Sequence, residues 1–291
     1  MKLLLFGKGG QVGWELQRSL AVLGELVALE AGDADFAEPE ALAGVVRDVR
    51  PDAIVNAAAH TAVDRAEAEP ARAQALNAEA PGVLARESAA IGAWLVHYGT
   101  DCVFDGSGSE PRDETAPTAP LSVYGRTKLD GEERIRASGC RHLILRTSWV
   151  YGARGGNFAR TMVKLAGEHE RLPVVADQIG APTGAELIAD VTAHALRVSM
   201  ERPNLAGTYH VAAAGETSRH GYASFVVEWA RAHGLPVRVQ ALDPVPSSAW
   251  PSAARRPLNS RLDTRKLQAC FDLVLPPWQH GVARMLAEAF A

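Results

Sequence analysis

A short apolar run, Leu3-Leu4-Leu5-Phe6, breaks at Gly7-Lys8-Gly9-Gly10-Gln11-Val12-Gly13, and apolar residues then recur at Trp14, Leu16, Leu20 and Leu23. A strand, a glycine turn and a helix in immediate succession leave few folds open, because a strand feeding a helix within so few residues favours a crossover to a parallel neighbour. The spacing Gly7-x-x-Gly10-x-x-Gly13 lets bare backbone approach a pyrophosphate, whose charge meets the free N–H groups at the helix N-terminus. A second apolar stretch, Leu26 to Leu29, ends in Glu30, about where an acidic side chain meets an adenosine ribose. The opening of the chain therefore reads as half of a dinucleotide site.

The same alternation continues. Pro39 to Arg50 is helical in pattern, Ala53 to Ala59 is a third strand, and Ala71 to Ile91 is a long helical stretch interrupted only by Pro81. Ala93 to Tyr98 and His142 to Thr147 read as the fourth and fifth strands. Such a pattern predicts an α/β fold with a doubly wound, Rossmann-like parallel sheet, carrying ligands at the carboxyl ends of its strands. The alternation loosens after Gly152, so a smaller C-terminal substrate domain is expected. We divide the chain at residues 1–150, for NAD(P) binding, and 151–291, mainly for substrate, with some later segments returning to the first domain. At 291 residues the chain exceeds the usual span of about 100–200 for one domain.

Between the fourth and fifth strands lies Ser122-Val123-Tyr124-Gly125-Arg126-Thr127-Lys128. Tyr124 and Lys128 are four residues apart and share a helical face. A nearby ammonium favours the ionised phenol, so the pair reads as an acid/base device with Tyr124 as proton donor. Gly99-Thr100-Asp101 arrives at the same sheet edge, where the Thr100 hydroxyl is suited to a substrate carbonyl. His60, at the end of the third strand, reads chiefly as a loop histidine bonded to backbone or cofactor rather than as a base. Arg256, helped by Arg255 in a loop rich in proline and serine, has the fork that grips a diphosphate.

Composition excludes several partners. The formal charge of -4 carries no long run of one sign, which argues against nucleic acid and against an anionic membrane surface. Cys102, Cys140 and Cys270 are few, odd in number and widely separated, so neither a disulfide framework nor a zinc cluster is expected and a reducing cytoplasm fits.

The glycine loop, Thr100 and Tyr-x-x-x-Lys together resemble the extended short-chain dehydrogenase/reductase family. Within it, five blocks are similar to the dTDP-4-dehydrorhamnose reductases: Gly7 to Leu16, Asn56 to Asp64, Arg146 to Tyr151, Asp177 to Thr183 and Ala254 to Ser260. The resemblance implies reduction of the C4 ketone of a dTDP-4-keto-6-deoxy-L-sugar by NADPH or NADH. It implies that Tyr124, Lys128 and Thr100 are catalytic, with Lys128 lowering the tyrosine's pKa. It also implies that Gly10, Gln11, Val12, Glu30, Asp35, Phe36, Ala59, His60, Thr61 and Tyr98 contact cofactor, and that Asp101 and Trp149 contact the sugar. An indole face suits the apolar side of a pyranose. A homodimer bridged by magnesium through Glu15, Glu186 and Glu288 is a further implication. Gly99 and Cys102 stand where the family carries Ser and Tyr. Glu30 favours a free ribose and Lys8 a 2′-phosphate, so use of both cofactors is expected. An epimerase or dehydratase of the same fold, or a regulatory subunit that binds NADP without catalysis, are the alternative readings.

Overall fold

A computed structural model describes residues 1–290. Its centre is a six-stranded sheet in the order β10-β5-β4-β3-β1-β2, with every neighbouring pair parallel. The strands are β1 (Lys2–Phe6), β2 (Glu25–Leu29), β3 (Ala53–Asn56), β4 (Trp94–Thr100), β5 (Arg141–Thr147) and β10 (Gly207–His210). Helices α1 (Gln11–Ala21), α2 (Pro39–Val49), α5 (Ala80–Ile91) and α6 (Val123–Ala137) connect the early strands. The strand order reverses at β1, which has β2 on one side and β3 on the other, and this opens a crevice beyond their carboxyl ends.

Alternation along the strands builds a core on each face. Leu3 and Leu5 of β1 point to one side with Leu16 and Leu20 of α1, while Leu4 and Phe6 point to the other with Leu42 and Val46 of α2. The sheet is covered on both faces, so its strands carry consecutive apolar residues, as in Leu3 to Phe6, rather than a strict alternation with polar ones. The first of these cores also takes in α8 (Ala185–Glu201), β10 and α10 (Arg265–Phe271), all from the later half of the chain. A separate cluster forms among α7 (Phe158–Glu168), α9 (Arg219–Ala232) and α11 (Trp278–Phe290), around Tyr222, Val226, Trp278 and Val282. Short strands β6 (Val150–Tyr151) and β9 (Thr183–Gly184), β8 (Ile179–Gly180) and β11 (Thr217–Ser218), and β7 (Arg171–Val175) and β12 (Ala241–Val245) pair locally around it. Among the described residues, no helix is long and apolar enough to cross a membrane.

The helical stretch before β4 is not one α-helix. It begins as α4 (Pro70–Gln74), after α3 (Val63–Ala68), widens into a π turn over Ala75–Glu79, and resumes as α5 with Pro81 in its first turn. Proline lacks the N–H that a continuous ladder would need, and its ring crowds the carbonyl four residues back. Placing it just after the widened turn removes that conflict. The freed Asn77 carbonyl faces α6, where a Cβ on Gly131 would lie 2.1 Å from it. The amide side chain of Asn77, fully buried, accepts from the His60 N–H at 2.8 Å and donates to Thr127 at 3.2 Å. A turn forced by one proline thus ties the loop after β3 to the helix that bears Tyr124.

Candidate active site

The glycine loop is shaped by contact as much as by flexibility. Gly7 has φ of 83°, and a Cβ there would fall 2.7 Å from the Ala58 nitrogen; one on Gly13 would fall 1.9 Å from the Gly7 carbonyl oxygen. Gly10 caps α1 with no side chain in the way, leaving the helix's first N–H groups facing the crevice. Gln11 Oε1 is buried there without a hydrogen-bond partner. A close backbone cradle, a helix N-terminus and an orphaned acceptor fit a dinucleotide. Glu30 is at the same corner, and Phe36 packs edge-on against Phe6 with centroids 5.3 Å apart. Lys8 pairs with Asp33 at 3.1 Å, and Asp33 also accepts from the Glu30 N–H.

Deeper in, a cavity of about 460 Å³ is lined by Gln11, Val12, Ala59, Thr61, Tyr98, Thr100, Asp101, Tyr124, Lys128, Trp149 and Arg256 among others. Eleven positions singled out in the sequence therefore share one wall. Gly7, Gly10, Gly13, Glu30, Asp35, Phe36 and His60 lie outside it, the glycines and Glu30 at the outer end of the crevice. His60 is buried, and its ring faces Glu69 at 3.4 Å.

Tyr124 reaches the cavity because α6 starts against the segment after β4. Ser122 caps the helix, accepting from Gly125 N–H at 3.1 Å, and a Cβ on Gly125 would lie 2.2 Å from the Cys102 carbonyl oxygen. Only that close approach puts the phenol beside Thr100. The Thr100 hydroxyl donates to Asp101 Oδ1 at 3.1 Å and accepts from the Cys102 N–H at 3.2 Å. Burial pushes the Tyr124 phenol up, with Cys102 and Asp101 adding to the rise and the Thr100 hydroxyl opposing it. Burial likewise raises the Asp101 carboxyl, opposed by Ser260 and Thr100.

Lys128 is buried, and its ammonium nitrogen lies 3.2 Å from His97 Nε2 rather than on the phenol. His97 Nδ1 in turn meets the Asn56 amide at 3.2 Å, and Asn56 Oδ1 accepts from the Ala58 N–H at 3.1 Å. Burial pulls Lys128 down to about 8, while the Glu132 carboxylate pulls it upward. The same burial, joined by the Lys128 charge, drives His97 well below its usual 6.5, so the imidazole is neutral. The Tyr124 phenol is shifted by burial, Cys102, Thr100 and Asp101 rather than by Lys128.

Trp149 has φ of 48°, a left-handed backbone that costs an ordinary residue about 1–3 kcal/mol. That bend turns the indole into the cavity as the chain leaves β5. Arg256 also lines the cavity, with its guanidinium held by Asp64 at 2.5 Å; this pairing draws the Asp64 carboxyl down to about 2. Arg255 is exposed at the rim of a neighbouring cleft of about 540 Å³. Sequence reasoning missed Arg219, Gln178 and Ser260, which complete the wall. Ser218 before Arg219 is a legible helix cap, but nothing local says that this helix begins at the cavity.

Glu15, Glu186 and Glu288 do approach one another, since Glu15 and Glu288 both raise the Glu186 carboxyl after burial does. Arg284 lies 3.5 Å from Glu186 and Arg18 3.7 Å from Glu15. Among the described residues no group of three acidic, histidine or cysteine side chains is placed to hold a metal. Within one chain these glutamates do not fit a magnesium site, because arginines neutralise two of them.

The family described as RmlD substrate binding domain matches residues 1–290. The dTDP-4-dehydrorhamnose reductase of Escherichia coli (strain K12) is 55% identical over 294 residues, covering 100% of this chain and 98% of that protein. Its counterpart from Burkholderia thailandensis is 50% identical over 288 residues, 97% of each. The crystal structure of dTDP-4-dehydrorhamnose reductase from Bacillus anthracis in complex with NADP has a TM-score of 0.89 at 33% identity, covering 99% of both chains. The UDP-glucose 4-epimerase of Thermus thermophilus, at 20% identity and a TM-score of 0.78, shares the fold alone. With full-length matches at this identity, the chain belongs to the RmlD substrate binding domain family, among relatives that carry the name dTDP-4-dehydrorhamnose reductase.

Proposed function

We propose that this protein reduces the C4 ketone of dTDP-6-deoxy-L-lyxo-4-hexulose to dTDP-L-rhamnose, the last step of dTDP-rhamnose formation. The observation that carries the reading is the meeting of Tyr124, Thr100 and Lys128 in a cavity that continues into the glycine-loop crevice. NADPH or NADH would lie along Gly7, Gly10, Gln11, Val12 and Gly13, with its ribose ends toward Glu30 and Lys128 and its ring toward Tyr124; it supplies the hydride. Asp35, Phe36, Ala59, His60, Thr61 and Tyr98 border that path.

The remaining chemistry belongs to the chain. A phenol kept protonated by burial is the form a proton donor needs, so Tyr124 gives its proton to the ketone oxygen as negative charge develops there. Thr100 is a second hydroxyl beside that oxygen. Lys128 stabilises the phenolate left behind, at a moment when the buried phenol most needs a counter-charge. Trp149 and Asp101 hold the sugar ring, and Arg256, made rigid by Asp64, faces its diphosphate. A metal-bridged homodimer would need ligands from a second chain around Glu186.

The test is a spectrophotometric assay with the 4-keto sugar nucleotide and each cofactor. Net oxidation of NADPH or NADH in step with ketone loss is expected. A bound nicotinamide that is not consumed while the sugar is isomerised would overturn the reading in favour of an epimerase. The charge of Lys128 gives a second test. In the free enzyme its ammonium is lost as pH rises through about 8, so kcat/KM should fall above that pH. Lys128→Met should lose both rate and cofactor affinity, and its profile should lack that alkaline fall; a wild-type profile flat to pH 10 would exclude the ammonium from the step.

A further inference from the structure

Arg219 opens α9, which Ser218 caps by accepting from the Gly221 N–H at 2.9 Å. Its side chain enters the cavity and sits over Trp149, the guanidinium carbon 3.8 Å from the ring centroid, with Phe158 at 5.3 Å. Among the described residues it has no side-chain hydrogen bond and no ion pair. The other charges of the cavity are committed. Asp64 holds Arg256, the Lys128 ammonium rests on His97, and Asp101 takes the Thr100 hydroxyl in a setting that favours its neutral acid.

An aromatic face attracts a guanidinium but supplies no acceptor for its N–H groups. A desolvated cation without acceptors is costly unless a ligand completes it. Burial lowers Arg219 to about 10, so it is fully charged at neutral pH; Asp101 favours that charge from beyond ion-pair distance, and the nearby Arg256 guanidinium repels it. Two forks that repel across a cavity are suited to an anion placed between them.

Resting on the reading of this cavity as a nucleotide-sugar site, we propose that Arg219 is the principal ligand of the substrate's diphosphate, preorganised by its stack on Trp149. Arg256 contributes charge but has spent its fork on Asp64, whereas Arg219 brings unused donors. A guanidinium gripping two phosphate oxygens is planar and bidentate, and an ammonium cannot reproduce that contact.

Calorimetric titration of the full chain, saturated with NADP, tests this with dTDP and thymidine as probes. Arg219→Gln, which keeps most of the side chain's bulk, should weaken dTDP roughly ten- to a hundredfold, the range for a lost hydrogen bond to a charged group. Thymidine and NADP should bind as to the wild type, and Arg219→Lys should recover only part of the loss. Unchanged dTDP affinity in Arg219→Gln overturns the proposal. Equal weakening of dTDP and thymidine also overturns it, since Arg219 would then only shape the cavity. A wild-type protein that binds no dTDP overturns the functional reading itself, a result distinct from binding that survives the substitution.

Discussion

Tyr124→Phe is expected to lower kcat by about a hundred- to ten-thousandfold, the usual contribution of a positioned proton donor, while leaving NADP affinity close to wild type. The substitution removes one oxygen and keeps the ring that packs where α6 meets the segment after β4. Thr100 retains its bonds to Asp101 and the Cys102 N–H, so the wall of the cavity stays in place. Lys128 keeps its contact with His97, 3.2 Å away, which does not involve the phenol. Cofactor affinity and turnover should therefore separate. Steady-state rates at saturating cofactor, set beside a fluorescence titration with NADPH, measure both. A variant that keeps most of its activity would move the proton donor elsewhere in the cavity, with Asp101, biased toward its neutral acid, the first candidate.

What the sequence reveals here follows the range of the interactions. β1, the glycine loop and α1 are legible because each is set by residues within one turn or one strand of it. The Tyr124 and Lys128 spacing is legible for the same reason: four residues on a helix share a face whatever the fold. What that face meets is a long-range matter. Lys128 finds His97, 31 positions away, and Asp64 finds Arg256, 192 away, and neither pairing leaves a periodic trace. Arg219 is hidden in the same way, since its role depends on α9 beginning beside Trp149. The π turn before Pro81 shows an intermediate case: the proline announces an interruption, but the form it takes depends on α6 pressing on the Asn77 carbonyl. Gly99, a departure from the family pattern in sequence, has a plain cause in space. A Cβ there would lie 2.4 Å from Glu132 Oε1 and 2.7 Å from Arg146 Cγ, so no serine fits without moving a buried ion pair.

That pair carries the largest expected effect on stability. Arg146 Nη2 donates to Glu132 Oε2 at 2.7 Å and Arg146 Nε to the same carboxylate at 3.0 Å, with the two side chains 3% and 0% exposed. Arg146 Nη1 is buried with no partner, so the guanidinium depends on Glu132 for its compensation. Glu132→Gln would leave that cation buried with a neutral neighbour, a loss of about 3–5 kcal/mol. Against a total stability of about 5–15 kcal/mol, this is a large fraction. Arg136, the other partner of Glu132 at 3.2 Å, is 38% exposed and returns to water at little cost. The effect should reach the chemistry too, because Glu132 supports the Lys128 ammonium one turn away. Without that carboxylate the ammonium falls below about 8, and the alkaline decline of kcat/KM moves to lower pH. Urea unfolding and the pH profile of the same variant check both halves. Pairing Glu132→Met with Arg146→Met should recover much of the lost stability, since no buried charge is then left alone. If the double variant is as unstable as the sum of the single ones, the loss comes from packing around β4 and β5 and not from the stranded guanidinium.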